Sequence, residues 1–323
     1  MTNSRKKRVL GFLTSQSVIL FFFILLIAVV VNTVNAKFLT WNNISSILRQ
    51  ATALGLAACG MTVLIISGQI DISLGSMIGL VTCVMALMLN AGVNETVVSL
   101  TALCMCVGCS VLNGGLCILF NAPPFIVTLA TNNLYIGTAL LITKGYLQTI
   151  YGKYRFIAST RFFGWLYLQF IILLAGFLII HFVLKRTQTG RQIYAIGTNE
   201  NAAYISGISV KRSKLKFYAI SGCMVGFASM VLLSRLAGAQ STTGSGTELE
   251  AIGAVVIGGT AINGGKGGVV GTFFGVILLS MISNAINMAQ ISEYFRDIVY
   301  GLVILIALGV TALRARMVDR KGA

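Results

Sequence analysis

Val18-Ile19-Leu20-Phe21-Phe22-Phe23-Ile24-Leu25-Leu26-Ile27-Ala28-Val29-Val30-Val31 is a run of fourteen apolar residues, and apolarity already begins at Val9. A helix needs about 20 mostly apolar residues to cross a bilayer, so the stretch from Val9 is long enough. The basic cluster Arg5, Lys6, Lys7 and Arg8 before it, and Val34-Asn35-Ala36 after it, also fit a cleaved signal peptide. We read the segment as a retained span, because nothing downstream has the character of a secreted domain. The same texture continues along the chain. Of 323 residues, 56% are apolar and 10% charged, with a mean hydropathy of +0.89, whereas a soluble domain carries roughly 25% charged residues. The apolar positions would fill about nine or ten spans. Two prolines and 35 glycines accompany long Leu/Ile/Val/Ala runs, which suits helices packed through small residues and not a barrel of alternating strands. The expected fold is all-α: a polytopic helical membrane protein of about ten transmembrane helices with Gly-interrupted segments in each half, forming one domain over 1–323.

The net charge of +16 does not imply a nucleic-acid partner, because of where it lies. Fifteen of the 24 Lys and Arg fall at Arg5 to Arg8, at Lys185, Arg186, Arg191, Lys211, Arg212, Lys214 and Lys216, and at Arg314, Arg316, Arg320 and Lys321. The positive-inside rule makes these three segments cytoplasmic, with both termini inside and an even number of spans on each side of the loop 185–214. That predicts spans over 9–34, 44–67, 74–90, 96–120, 124–144, 166–184, 215–237, 251–263, 269–289 and 295–313. The count places Lys144, Lys153, Arg155 and Arg161 outside and leaves 251–263 short. Eight spans remain open if one Gly-interrupted segment is re-entrant.

Irregular backbone at membrane depth lines a cavity or is buried in protein. Two such segments stand out: Ser67-Gly68-Gln69-Ile70-Asp71-Ile72-Ser73-Leu74-Gly75-Ser76, and Gly258-Gly259-Thr260-Ala261-Ile262-Asn263-Gly264-Gly265-Lys266-Gly267-Gly268. Their places in the two halves are those of structural repeats around a pathway. Asp71 has two readings: a cap for a helix starting near Ser73, or a pathway residue. Glu248 and Glu250 fit capping boxes, Ser245-x-x-Glu248 and Thr247-x-x-Glu250, or a rigid border to an outer gate. Asn132, Asn133, Asn284 and Asn287 are further pathway candidates, each also suited to interhelical hydrogen bonding.

Catalytic chemistry finds no footing. Lys266 is followed by Gly267, and Thr260 stands where a phosphate loop needs its leading glycine, so there is no Walker A site. One His and eight acids assemble no metal site, triad or carboxylate pair. Cys106-Val107-Gly108-Cys109 has redox spacing but sits in an apolar helix without partners, and all seven cysteines read as small hydrophobes. No cofactor is expected in this chain.

The loop 185–214 is more than a connector. Asn199 can cap a two-turn helix over Glu200 to Ser206, with Gly207 as its left-handed stop. Ala202 and Ala203 beside Tyr204 and Ile205 give that helix a close-packing face. It suits docking into a groove on another protein, or resting on its own membrane domain or lipid headgroups.

Here a resemblance appears. Gly190-Arg191-Gln192-Ile193-Tyr194-Ala195-Ile196-Gly197, with Asn199, Ala202-Ala203 and Ser206-Gly207-Ile208, resembles the cytoplasmic coupling segment of ribose-type permeases of bacterial ABC sugar importers. Asp71-Ile72-Ser73-Leu74-Gly75-Ser76 is similar to their D-L-S-V-G-S segment. Glu248-Leu249-Glu250-Ala251-Ile252, Ala254 to Thr260 and Gly264-Gly265-Lys266-Gly267 are similar to their E-L-D-A-I-A-A-V-V-I-G-G-T and G-G-x-G run. Matches continue at Pro124 to Leu129 and at Asn284 and Asn287, so the resemblance covers nearly the whole chain. It implies two permease subunits, identical or related, in a bacterial inner membrane, a separate ABC ATPase that binds the ATP, and an extracytoplasmic sugar-binding protein. It also implies that Gly190, Arg191, Gly197, Asn199, Glu200, Ala202, Ala203, Ser206 and Gly207 serve ATPase docking, with Asp71, Ser73 and Gly75 at a broken helix. The chain departs from the family at Ala130, where Gly is usual, at Ile136-Gly137, where Arg-Gly is expected, and at Asn284-Ala285-Ile286-Asn287. These departures bear on the solute, with other sugars, a sugar-derived signal or a branched-chain amino acid as alternatives. An ion-coupled carrier using Asp71 is the rival from another class.

Overall fold

The computed structural model describes residues 16–164, 166–292, 295, 298–302, 305 and 309. The basic clusters at the two termini and the ends of the spans 9–34 and 295–313 lie outside the described residues. Helices α1 (Gln16–Val34), α2 (Trp41–Ile66), α3 (Leu74–Asn90), α4 (Glu95–Phe120) and α5 (Pro124–Thr143) form the first half. Next come α6 (Phe156–Ser159), α7 (Leu168–Arg186), α8 (Gln188–Thr198), α9 (Glu200–Ile205), α10 (Val210–Leu236), α11 (Thr247–Ile257) and α12 (Val269–Met288). Two-residue strands β1 (Gln148–Thr149) and β4 (Gly238–Ala239) pair antiparallel, as do β2 (Arg161–Phe162) and β3 (Leu166–Tyr167). Among the described residues the all-α expectation therefore holds apart from these clips.

Local chemistry sets the boundaries. Asn94 Oδ1 accepts from the Thr96 N–H at 2.8 Å and Glu95 occupies the first turn of α4, both favourable at a helix N-terminus. Pro124 opens α5 at the position where its missing N–H costs nothing. α4 and α5 end on Asn121 and Lys144 in the left-handed conformation.

α2 lies at the centre, buried almost throughout and packed by α10, α12, α11 and α7. Small residues let backbones approach. A Cβ on Gly222 would lie 2.6 Å from the Cys106 carbonyl and one on Gly226 2.9 Å from Leu103, so the Gly222-x-x-x-Gly226 face of α10 sits directly on α4. Gly271 and Gly275 of α12 meet the backbone of Gly258, just past the end of α11, and of Ala254 on α11 in the same way. Without a hydrophobic force between helices in lipid, such contacts carry the association. Hydroxyls add to it: Thr62 and Thr272 share a 2.9 Å hydrogen bond between α2 and α12.

α10, with 27 residues, spans about 40 Å and separates two ends. The loop end carries α8, α9 and the connection 258–268. The hairpin end carries the strands, α6 and the α1–α2 connection, together with Lys144, Lys153, Arg155 and Arg161, opposite the loop 185–214 as the span count expects. α4, α5 and α7 turn Leu119, Phe120, Leu134, Leu141, Leu178 and Phe182 outward, a surface fit for lipid or a partner helix.

Among the described residues six helices, α2, α4, α5, α7, α10 and α12, are long and apolar enough to cross a membrane, and the apolar stretch 20–33 in α1 and the whole of α3 are shorter. The expected crossing 251–263 takes a different form. α11 has 11 residues, about half the bilayer core at 1.5 Å per residue. It stops at Ile257 because Gly259 turns the chain with φ +91°. The irregular segment 240–246 precedes it, and its Ser241 and Thr243 carbonyls would lie 2.7 and 2.8 Å from a Cβ on Gly79 of α3.

Candidate functional site

The loop region forms a built junction. Thr187 Oγ1 accepts from Gly190 N–H at 3.1 Å to start α8, and Gly190 packs on the carbonyls of Val183 and Leu184. Ile193 and Ile196 are buried beneath α8. At its far end Gly197 abuts the carbonyl of Ile66, the last residue of α2, and a Cβ there would also lie 2.7 Å from the Gly265 nitrogen. Gly265 donates to the Ile66 carbonyl at 2.8 Å. Tyr194 Oη donates to the Gly267 carbonyl at 2.8 Å, and burial pushes the Tyr194 phenol up, which keeps that proton in place. The end of α2, where the first interrupted segment begins, and the second segment 258–268 thus meet on α8, with Gly264 lying between Gly197 and Gly68.

α9 follows at once. Asn199 Oδ1 accepts from Ala202 N–H at 2.9 Å, and Gly207, at φ +84°, ends the helix. Ala203 is buried, while Ala202 faces out with Tyr204 and Ile205, which are 72% and 84% exposed. Lys214 of α10 holds Glu200 at 2.8 Å. Of the residues read as docking groups, Gly190, Gly197 and Ala203 face the membrane domain; Arg191, Asn199, Glu200, Ala202, Ser206 and Gly207 are exposed.

Asp71 lies buried at the first break. One carboxylate oxygen accepts from the Ser73 N–H at 2.9 Å and the Ser73 hydroxyl at 2.6 Å, and Asn113 Nδ2 of α4 donates to the other at 3.2 Å. Asn113 also reaches Ser73 Oγ at 2.7 Å and accepts from Tyr135 Oη of α5 at 2.9 Å. Thr128 Oγ1 accepts from Ile72 N–H at 3.1 Å. The broken stretch of backbone is therefore held to α4 by donation from Asn113 and to α5 by the acceptor Thr128. Asn113, Tyr135 and Thr128 escaped the sequence reading; one Asn inside the apolar run of α4 was the available signal.

The remaining candidates are dispersed. Asn284 is buried and accepts from Asn43 Nδ2 at 2.9 Å; Asn287, one turn on, is exposed. Asn132 is half-buried, and Asn133 is exposed and folds back to its own Leu129 carbonyl at 3.4 Å. The capping boxes before α11 do not form. Gly246, at φ +84°, takes the cap position and shifts the register by one, so Glu248 reaches back to the Gly246 N–H at 3.2 Å with no hydroxyl cap in return. The carboxylate of Glu248 packs over Gly75. Glu250 lines a chamber of about 230 Å³ with Gln50, Arg235, Thr247, Ser280 and Ser283, and Gln50 donates to Ser283 Oγ at 2.9 Å.

Residues 43–308 match the family described as branched-chain amino acid transport system / permease component. The chain belongs to this permease family. It is 37% identical over 287 residues to the ribose import permease protein RbsC of Bacillus subtilis (strain 168), covering 88% of each chain. To the protein of that name from Escherichia coli (strain K12) it is 33% identical over 297 residues, 88% of this chain and 90% of the relative. To the D-allose transport system permease protein AlsC of Escherichia coli (strain K12) it is 32% identical, covering 91% and 90%. No solved structure matches it.

Proposed function

We propose that this chain is the membrane-spanning subunit of an ABC importer, one of two that enclose the pathway for a ribose-like monosaccharide. An extracytoplasmic binding protein delivers the sugar, and a separate ATPase drives the cycle by alternating access. The loop end faces the cytoplasm, as its basic residues favour. The chain crosses a bacterial inner membrane ten times, with α11 and the segment 240–246 making one interrupted crossing and both termini inside.

The observation that carries this reading is the junction at Gly197. α8 touches the end of α2, where the first break begins, and the second broken segment, and α9 presents Tyr204 and Ile205 outward on a short, capped helix, a shape suited to a groove on a partner. Movement of that partner would reach the pathway through Ile66 and Gly265. Sugar is favoured over amino acid because relatives named for ribose and D-allose match along nearly their full length. Asp71, enclosed by donors, is poorly placed to exchange ions, which disfavours the carrier reading.

The test is ATP-dependent uptake of labelled ribose in vesicles holding the chain, its ATPase and its binding protein, against the variant Ile205→Arg. Loss of ATPase association and uptake with normal insertion supports the reading. Full uptake by the variant, or uptake by this chain alone on an ion gradient, overturns it.

A further inference from the structure

The hairpin end holds a concavity of about 460 Å³ walled by Arg49, Arg155, Arg161 and Arg235. Arg49 projects from α2 and Arg235 from the last turn of α10, whose guanidinium donates to the Arg49 carbonyl at 3.4 Å. The connection bearing Arg155 is pinned to α10: Ser234 Oγ donates to the Tyr154 carbonyl at 2.7 Å and accepts from Ala158 N–H at 3.0 Å. Tyr167 stands among them, with the guanidinium carbons of Arg49 and Arg161 each 4.6 Å from its ring centre.

Four guanidinium groups repel one another, and an acid among them would be the usual compensation. Among the described residues no carboxylate lines this concavity; Glu250 shares only the adjoining chamber with Arg235, and the ion pair Lys214–Glu200 lies at the other end. The Tyr167 ring offsets part of the repulsion through its face. Arg49 Nε is buried without an acceptor, a charged donor whose desolvation stays uncompensated until something enters. Arg49 and Arg235 are half-buried on the floor, while Arg155 and Arg161 are exposed at the rim. This depth suits a small group more than a flat protein surface. Planar forks of N–H donors match the oxygens of phosphate.

We propose that this concavity is an oxyanion site that takes the phosphate of a small solute or of a phospholipid headgroup. Its floor residue Arg235 also lines the polar chamber beside Gln50 and Ser283, so a bound phosphate would share a guanidinium with that chamber.

The test uses the full chain, lipid-depleted in a phosphate-free maltoside detergent, titrated with inorganic phosphate and, separately, with soluble dihexanoylphosphatidylglycerol. Arg49→Gln and Arg235→Gln are expected to weaken binding by about tenfold or more, with Arg161→Gln at the exposed rim as the variant least able to disturb folding. Saturable phosphate binding that the lipid analogue does not improve assigns the site to a solute. Binding of the analogue tenfold tighter than phosphate assigns it to a headgroup. No saturable binding of either probe, or equal binding by the wild type and folded Gln variants, overturns the proposal, including the case in which only an acidic protein surface occupies the rim.

Discussion

Gly265 donates its backbone N–H to the carbonyl of Ile66 at 2.8 Å, joining two segments 199 residues apart where each helix breaks. The acceptor is one of the carbonyls that a helix leaves unpaired at its C-terminus, and Gly197 of α8 closes over it. α8 thereby rests on backbone from both halves with no side chain between, so displacement of α8 would be felt at both breaks.

Gly197→Ala places a methyl group against the Ile66 carbonyl and the Gly265 nitrogen, both backbone atoms that cannot rotate away. Overpacking of this kind costs about 1–3 kcal/mol. The midpoint of thermal unfolding should fall, and ATP-driven uptake should drop while ATPase association persists, because the outward face of α9 is unchanged.

Asp71→Ala removes the acceptor of the Ser73 N–H and hydroxyl and one acceptor of Asn113 Nδ2, which keeps Ser73 Oγ, an expected loss of about 1–3 kcal/mol. Asp71→Asn keeps one acceptor oxygen and should lose less. ATP-driven uptake by folded Asp71→Asn should remain independent of proton and sodium gradients; dependence of the wild type on either gradient would return Asp71 to an ion-binding role.

Lys214→Ala removes the ion pair to Glu200, whose side chain is 53% exposed. Pairs so open to solvent contribute at most about 1 kcal/mol. Stability and uptake should change little, in contrast to the complete loss expected from Ile205→Arg; equal damage from both would mean that α9 matters for anchoring and not for docking.

Asn43→Ala and Asn284→Ala test the link between α2 and α12 near the hairpin end. Interhelical hydrogen bonds in membranes contribute about 0.6 kcal/mol on average, so a double-mutant cycle on unfolding free energy should return a coupling of that order. Asn287→Ala, at an exposed position, should leave stability unchanged. Unaltered uptake by assembled Asn284→Ala and Asn287→Ala would remove both from the pathway.

Helix after helix was legible from composition alone, because bilayer thickness imposes a length and lipid forbids unpaired backbone. Pro124, Asn94 and the Asn199-to-Gly207 frame marked boundaries through local chemistry that needs no tertiary partner. Glu248 shows where such reading stops: Ser245-x-x-Glu248 has capping-box spacing, yet the backbone of Gly246 and the close fit of 240–246 against Gly75 and Gly79 moved the helix start by one residue. Local spacing permits several registers, and a neighbour's surface selects among them.

The candidate site divides in the same way. The sequence determined that this is a helical membrane chain with two Gly-rich interruptions, an acid at one of them and a capped helix in a basic loop, since each follows from contiguous residues. Only the tertiary structure decided that Asn113 and Tyr135 complete the clamp on Asp71, that Gly197 bridges Ile66 and Gly265, and that Arg49, Arg155, Arg161 and Arg235 converge. Those groups come from helices remote in sequence, and nothing in the spacing along one helix states which face of another it will meet.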